Sequence, residues 1–269
     1  MGCPRIGALY FAVRKGKFFR MARLSAESLK KRMIIETLLF SDLDLPNPGP
    51  FDQVIKTELP SSKNQWKYKW DCLLQSPFDI TLHLDADTYI CQDISEIFRM
   101  MDRFDIVMPY SPFLNLDDPP EGVPGSFPEP AGGLILWKWN PLTRRLFQDI
   151  REGLEHRSFR RADEATIREV LYKSNVQFGV LPTEYTCVFR HQGYLSGAVR
   201  IMHGVSKNIK ADAELFNSNT DPRVFTGETL FTTRVVKARV QEVDQAIGYL
   251  WKRGQIHDFP KTIRGKGTS

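Results

Sequence analysis

Short apolar segments alternate with segments of helical periodicity along most of the chain, and this alternation strongly constrains the fold. The strand candidates are apolar or alternating segments at residues 6–13, 33–40, 54–55, 78–84, 104–109, 134–139, 176–181 and 199–202. Helical spacing predicts helices at residues 18–32, 66–75, 95–101, 142–154 and 163–172. Such alternation is typical of an α/β fold with a mostly parallel sheet flanked by helices.

Length and composition fit one globular domain. The chain has 269 residues, of which 42% are hydrophobic and 26% are charged, so it is not of the disordered class. No break in composition divides it, and we predict a single domain over residues 1–269 with a core at about 5–207. The remainder, about 208–269, is predicted to be a helical extension, because five apolar residues fall on one helical face: Val236, Val240, Val243, Ile247 and Leu250.

The net charge and the cysteine content limit which classes of ligand and which cellular compartment we expect. The net charge of +5 fits an ordinary solvated surface. If it instead marks an anionic partner, we favour a small phosphorylated ligand over a membrane surface or nucleic acid, since the sequence has no long Lys/Arg block and no nucleic-acid-binding motif. Residues 6–13 are too short to cross a membrane, and we expect neither a signal peptide nor an integral membrane span. Cys3, Cys72, Cys91 and Cys187 have no zinc-site spacing, so we expect a reducing, cytoplasmic location.

Two carboxylates stand where the strand at residues 78–84 ends. Alternate residues of a strand point to the same side, so Asp85 and Asp87 can converge just beyond it, and Ala86 leaves room for a ligand. Like charges repel unless a proton or cation lies between them, and a hard dication such as Mg²⁺ or Mn²⁺ is the simplest choice. A solvated acidic turn without a ligand is the alternative interpretation.

The surrounding sequence resembles nucleotide-sugar glycosyltransferases of the GT-A fold. "FDITLHLDADTYICQDISEIF" is similar to their metal-binding strand, and "KWDCLLQSPF" is similar to the helix before it. Further similar segments follow the family's order over about residues 5–207: "GALYFAV", "MARLSAESLKK", "PEPAGGLILWKWN", "DEATIREVL" and "IMHGVSK". The resemblance implies a Rossmann-like GT-A sheet.

The resemblance also implies site residues. It implies a Mn²⁺ or Mg²⁺ site whose ligands are Asp85, Asp87 and His203. It implies donor contacts at Tyr10, Phe11, Ala12, Lys69, Asp85, Ala86, Gly132, Gly133 and Lys207. The catalytic candidates, near the reacting sugar, are Asp163 and Glu164. Structural interpretations stay open for most of these: core packing at the first strand, a turn at the glycines, and acids at a helix start.

The activity that the resemblance implies is sugar transfer. The donor is a nucleotide-diphosphate sugar, with a UDP-sugar favoured, and the acceptor is a hydroxyl group on a glycan, lipid or protein. A histidine-completed metal site favours a retaining reaction, and the loop at residues 110–130 is a candidate acceptor wall or lid. The chain departs from the family at Ala131, where relatives often have Asn.

Two other functions remain open. A sugar-nucleotide nucleotidyltransferase would carry a glycine-rich basic loop after the first strand, where this chain has "RKGKFFRMA" with Gly16 alone. A non-catalytic module that binds sugar nucleotides would agree with Ala131 and the basic charge.

Overall fold

The apolar segments of the amino-terminal half form strands that alternate with helices. The computed structural model describes residues 2–59, 65–111, 120–156 and 163–225, all within one compact unit, Met1–Glu228. The first elements are β1 (Ile6–Phe11), α1 (Gly16–Lys30), β2 (Glu36–Ser41), β3 (Gln53–Lys56), α2 (Gln65–Leu73) and β4 (Ile80–Leu84). Each agrees with a predicted element to within a few residues, because apolar runs and helical spacing are strong signals here.

The same alternation continues through the middle of the chain. Its elements are β5 (Thr88–Ile90), a 3₁₀ helix (Ser95–Asp102), β6 (Ile106–Pro109), β7 (Leu134–Lys138), α3 (Pro141–His156), α4 (Glu164–Lys173) and β8 (Phe178–Leu181). Asn140 caps α3 as its sequence predicts, since its side-chain oxygen accepts a hydrogen bond from the Thr143 N–H at 2.9 Å.

The last described segment contains several short elements that periodicity did not reveal. They are a 3₁₀ helix (Thr183–Tyr185), β9 (Cys187–Val188), β10 (Gly193–Leu195), β11 (Ile201–His203), α5 (Ile209–Phe216) and β12 (Arg223–Phe225). Of these only β11 was predicted, as residues 199–202. Strands of two or three residues are too short to show an alternating pattern. The predicted helix at residues 236–250 lies outside the described residues, and so do residues 112–119 of the predicted loop.

The central sheet has seven strands in the order β3-β2-β1-β4-β7-β6-β8. Six strands run in one direction, and β7 runs antiparallel to both of its neighbours, β4 and β6. The prediction of a mostly parallel sheet is therefore confirmed. Just beyond the β6–β7 pairing, an isolated antiparallel bridge joins Tyr110 to Pro130. A second, three-stranded sheet has the order β5-β11-β9.

Helices cover both faces of the central sheet. The alternation of β1 directs Ala8 and Tyr10 to the face that packs against α1, and it directs Leu9 to the face that packs against α2, α3 and α4. Nearly all residues of β1, β4 and β7 are buried, because these central strands are covered on both faces. Among the described residues, no helix combines the length and apolar character that a membrane span requires.

We predict that Gly7→Ala destabilises the protein by roughly 1–3 kcal/mol, because a methyl group there overpacks the core. A Cβ at this position would lie 2.2 Å from the ring of Phe78, which is 1% exposed and has no room to move. Urea denaturation measures the change. Gly197→Ala is the matched control, since nothing lies within 4 Å of its added Cβ. Equal stability of the two variants would contradict the packing described.

Candidate metal and ligand site

The acidic pair lies in a tight turn between β4 and β5. The Asp85 N–H donates to the Gly133 carbonyl at 2.9 Å, which extends the β4–β7 pairing by one residue. The chain then turns, because the N–H and hydroxyl of Thr88 both donate to the Asp85 carbonyl, at 3.2 and 2.8 Å. The carboxylates of Asp85 and Asp87 therefore converge through a turn at the carboxyl end of β4.

His203 reaches the acidic pair from the second sheet. β11 pairs antiparallel with β5 so that His203 faces Thr88, and the Gly204 N–H donates to the Asp87 carbonyl at 2.9 Å. The imidazole Nε2 lies 3.4 Å from Asp87 Oδ1 and 3.7 Å from Asp85 Oδ2. One ligand atom from each of the three residues lies within 4.8 Å of the others. The three predicted metal ligands are thus brought together.

Two neighbours orient the His203 ring. The Thr186 hydroxyl lies 3.4 Å from Nδ1, so the other ring nitrogen, Nε2, faces the carboxylates. Gly133 packs against the ring so closely that a Cβ there would lie 2.2 Å from His203 Cε1. The need for a glycine at this position is therefore steric: the backbone before β7 forms one wall of the imidazole site.

One carboxylate oxygen of Asp85, Oδ1, is contacted by two buried side chains, Lys69 and His83. The Lys69 amine donates to Asp85 Oδ1 at 3.0 Å and to the Gly132 carbonyl at 2.9 Å, and it lies 3.7 Å from Asp163 Oδ2. The His83 Nε2 lies 3.2 Å from the same Oδ1. These contacts leave Oδ2 of Asp85 directed toward His203.

The electrostatics of this network keep Lys69 and Asp85 charged. Burial lowers the pKa of the Lys69 amine, but the charges of Asp85 and Asp163 outweigh it and hold the pKa above its usual range. Burial likewise raises the pKa of Asp85, but Lys69 and His83 outweigh it, so the pKa of this carboxyl lies well below its usual range. The predicted donor-contact residue Lys69 is thus a buried partner of a predicted metal ligand.

His83 is a contact of Asp85 that the sequence analysis did not identify. Its side chain is fully buried, with Nδ1 3.0 Å from the Leu9 carbonyl oxygen and Nε2 3.2 Å from Asp85 Oδ1. The spacing of two residues along β4 could have revealed the contact, because residues i and i+2 share a side.

A cleft of about 330 Å³ opens beside these groups, at the carboxyl ends of the central strands β1 and β4. Its lining residues are Phe11, Ala12, Val13, Phe18, Lys69, Asp85, Ala86, Asp87, Glu164 and His203. Phe11 and Ala12 line it as predicted, and Val13 and Phe18 are additions. Tyr10 instead points into the core, where its ring packs edge-on against Phe51 and its hydroxyl accepts a hydrogen bond from Ser25 at 3.3 Å.

The two acids at the start of α4 occupy different environments. Asp163 is buried beneath the cleft, where Oδ2 accepts a hydrogen bond from the Trp70 indole at 2.9 Å. Glu164 lines the cleft itself. Burial, together with the charges of Asp163 and Glu129, raises the pKa of Glu164 to about 7. Lys207, between β11 and α5, is exposed and is not among the described residues that line the cleft.

The donor set fits a divalent metal ion. Neighbouring ligands of an octahedral ion with bonds of about 2.1 Å stand about 3 Å apart, close to the 3.4 and 3.7 Å separations around His203 Nε2. Two carboxylates with one imidazole suit Mn²⁺ better than Ca²⁺. Asp85, Asp87 and His203 thus form a group that is able to hold a metal ion, the same three residues that the resemblance implied.

Comparison of the chain with models of protein families finds no match, and comparison with curated proteins also finds no significant match.

We predict that Gly133→Ala weakens Mn²⁺ binding by about tenfold, because the added methyl group displaces the His203 ring. Electron paramagnetic resonance of free Mn²⁺, without nucleotide, measures the affinity. Gly197→Ala serves as the control, and urea denaturation establishes that both variants are folded. Unchanged Mn²⁺ affinity in folded Gly133→Ala would exclude His203 as a ligand in this arrangement.

We predict that Glu164→Gln stabilises the metal-free protein at pH 8 but not at pH 4.5. The pKa of Glu164 is about 7 in the folded protein, above its ordinary value of 4.5. The unfolding free energy of the wild type therefore falls as the pH rises from 4.5 through 7, whereas glutamine does not titrate and the variant lacks this loss. The difference in unfolding free energy should grow by roughly 1–3 kcal/mol across this window. Urea denaturation in EDTA measures it, with Glu214→Gln, whose side chain is 70% exposed, as the control. If the unfolding free energies of Glu164→Gln and the wild type differ by the same amount at both pH values, the buried, acidic environment described for Glu164 is wrong.

Proposed function

We propose that the protein is a metal-dependent glycosyltransferase of the GT-A type, which moves a sugar from a nucleotide-diphosphate sugar to a hydroxyl acceptor. The observation that carries the proposal is the group Asp85, Asp87 and His203 beside a cleft at the carboxyl end of β4. Ligands of open α/β sheets bind outside the carboxyl ends of strands, where this group lies. The sequence resemblance supports the same assignment independently of the coordinates.

The cleft has three chemically distinct regions, which follow one another along the neighbouring strands β1, β4 and β7. Next to β1 it is apolar, with Phe11, Val13 and Phe18, which suits a nucleotide base. At the end of β4 lies the carboxylate–imidazole group, which suits a metal-bound diphosphate. Next to the start of β7 the wall is polar, with Glu164. A nucleotide-diphosphate sugar has its parts in this same order.

The protein's own groups would hold Mn²⁺ and orient the donor. A bound divalent ion supplies charge neutralisation for the departing nucleoside diphosphate. Asp85 would hold the ion through Oδ2, His203 through Nε2, and Asp87 through its carboxylate. Lys69 keeps Asp85 ionised.

Retention of configuration is the stereochemical course that we propose, since in that course the leaving phosphate can itself take the acceptor's proton. Of the two catalytic candidates, Glu164 faces the cleft, and its pKa of about 7 suits proton transfer near neutral pH. An inverting reaction would use such a carboxylate as its general base. Nuclear magnetic resonance of the anomeric proton in the first-formed product distinguishes the two courses.

We predict that the protein releases nucleoside diphosphate from one member of a panel of UDP-, GDP- and other nucleotide sugars in the presence of Mn²⁺. EDTA should abolish the release, and Asp87→Asn should lower it by roughly 100-fold, because the ion loses a carboxylate ligand. Asp149→Asn on α3 is the matched control, since Asp149 pairs with Arg145 of the same helix and is not among the described residues that line the cleft.

Calorimetry of nucleotide-sugar binding, together with assays of the released products, distinguishes a glycosyltransferase from a binding module and from a nucleotidyltransferase. Metal-dependent binding of a nucleotide sugar, with no turnover for any hydroxyl acceptor, would indicate a binding module. Release of pyrophosphate from a nucleoside triphosphate and a sugar phosphate would indicate a nucleotidyltransferase. Absence of both binding and turnover would contradict the proposed function.

A further inference from the structure

The excess positive charge of the chain comes from one segment, residues 14–32. This segment contains eight Lys or Arg residues and one acidic residue, Glu27, so its net charge is +7. Because the whole chain carries +5, all residues outside the segment together carry −2. The segment comprises α1 and its two ends, and the basic character of the protein is therefore local to this helix.

One side of α1 presents this charge to the surroundings. Lys17, Arg20 and Lys31 are exposed, and their spacings of three and eleven residues, close to one and three helical turns, align them along the same side. The basic face, as we define it, consists of these three residues and the two exposed residues at the ends of the helix, Lys15 and Arg32.

In the part of the chain that the structure describes, no carboxylate forms an ion pair with the basic face. The ion pairs of α1 involve other basic residues of the segment. Arg23 Nε lies 3.0 Å from Glu27 Oε1, and Lys30 Nζ lies 2.7 Å from Asp52 Oδ2. The basic face is therefore a surface of five cations whose charge the described carboxylates do not neutralise by direct contact.

The cleft does not account for the basic face. None of its five residues is among the described residues that line the cleft, where the segment contributes Phe18. The lysine that lines the cleft is Lys69, whose amine donates to Asp85 Oδ1 at 3.0 Å. A phosphorylated ligand bound in the cleft would therefore leave the charge along α1 unexplained.

Two exposed apolar side chains favour a membrane as the anionic partner. Ile34, in the segment between α1 and β2, is fully exposed two residues after Arg32. Leu24 is exposed on α1, four residues after Arg20. Apolar side chains among basic ones are typical of surfaces that lie on a membrane, where the apolar groups enter the boundary between headgroups and acyl chains. The phosphate backbone of a nucleic acid would offer Ile34 no apolar partner.

We propose that the basic face of α1 docks the protein peripherally on an anionic membrane, with its cations against lipid phosphates and carboxylates and with Ile34 in the interfacial region. Each cation within a Debye length of such a surface adds to the attraction, so five on one face act together. Because α1 also supplies Phe18 to the cleft, docking in this way keeps the cleft close to the membrane surface. The inference does not rest on the proposed function.

Cosedimentation of the full chain with lipid vesicles tests the proposal. At about 0.1 M salt we expect binding to vesicles of phosphatidylcholine and phosphatidylserine, and at least tenfold weaker binding to vesicles of phosphatidylcholine alone. Raising the salt to about 1 M should weaken the binding to anionic vesicles by at least tenfold, because the Debye length falls to about 3 Å. Equal binding to both kinds of vesicle, or binding to neither, would overturn the proposal.

Two triple variants with the same change in net charge locate the contact. Neutralising Lys17, Arg20 and Lys31 to Gln should weaken binding to anionic vesicles by roughly 100-fold, about fivefold for each charge. The matched control neutralises three exposed cations on α3, α4 and α5, namely Arg145→Gln, Lys173→Gln and Lys210→Gln, and should bind as the wild type does. Urea denaturation establishes that both variants are folded. Equal binding by the two triple variants would overturn the assignment to α1.

A substitution at Ile34 distinguishes a membrane from other anionic surfaces. Ile34→Ser should weaken binding to anionic vesicles by about tenfold, since an apolar side chain is lost from the interfacial region. Leu142→Ser, at an exposed apolar position of α3, is the control and should have no effect. Unchanged binding of Ile34→Ser would overturn the choice of a membrane. Retention on duplex DNA without binding to vesicles would instead assign the basic face to nucleic acid and overturn the proposal.

Discussion

The buried ion pair between Lys69 and Asp85 is the interaction on which the site depends. It joins α2 to the end of β4, and the same amine reaches the Gly132 carbonyl before β7 and approaches Asp163 at the start of α4. Four segments distant in sequence thus meet at one ammonium group. Removing one member of such a network leaves an uncompensated buried charge, which costs far more than a surface pair.

The ion pair also determines which atom of Asp85 is available. Because Lys69 and His83 both contact Oδ1, Oδ2 is the oxygen that faces His203. Partners of this kind commonly orient metal-binding carboxylates, and they do so from elements that never touch the ligand. Gly133 has the complementary steric role, since its missing side chain leaves room for the imidazole.

Much of the candidate site could be predicted from local sequence, but the roles of its members depended on the fold. The alternation of β1 places Tyr10 in the core and leaves Phe11 at the cleft, a distinction that motif matching did not make. Adjacent acids at a helix start look equivalent in sequence, yet Asp163 is buried against Trp70 and Glu164 faces the cleft. Burial and bonding partners, which local patterns do not encode, separate them.

The sequence by itself determined the α/β class, the positions of the longer strands and helices, and the acidic turn after β4, because hydrophobic periodicity and turn chemistry act locally. Only the tertiary structure decided that β7 runs antiparallel, that the two- and three-residue strands pair, and that His203 approaches Asp85 and Asp87 through its Nε2. Those features arise from pairing and packing between segments remote in sequence. The buried position that raises the pKa of Glu164 has the same origin.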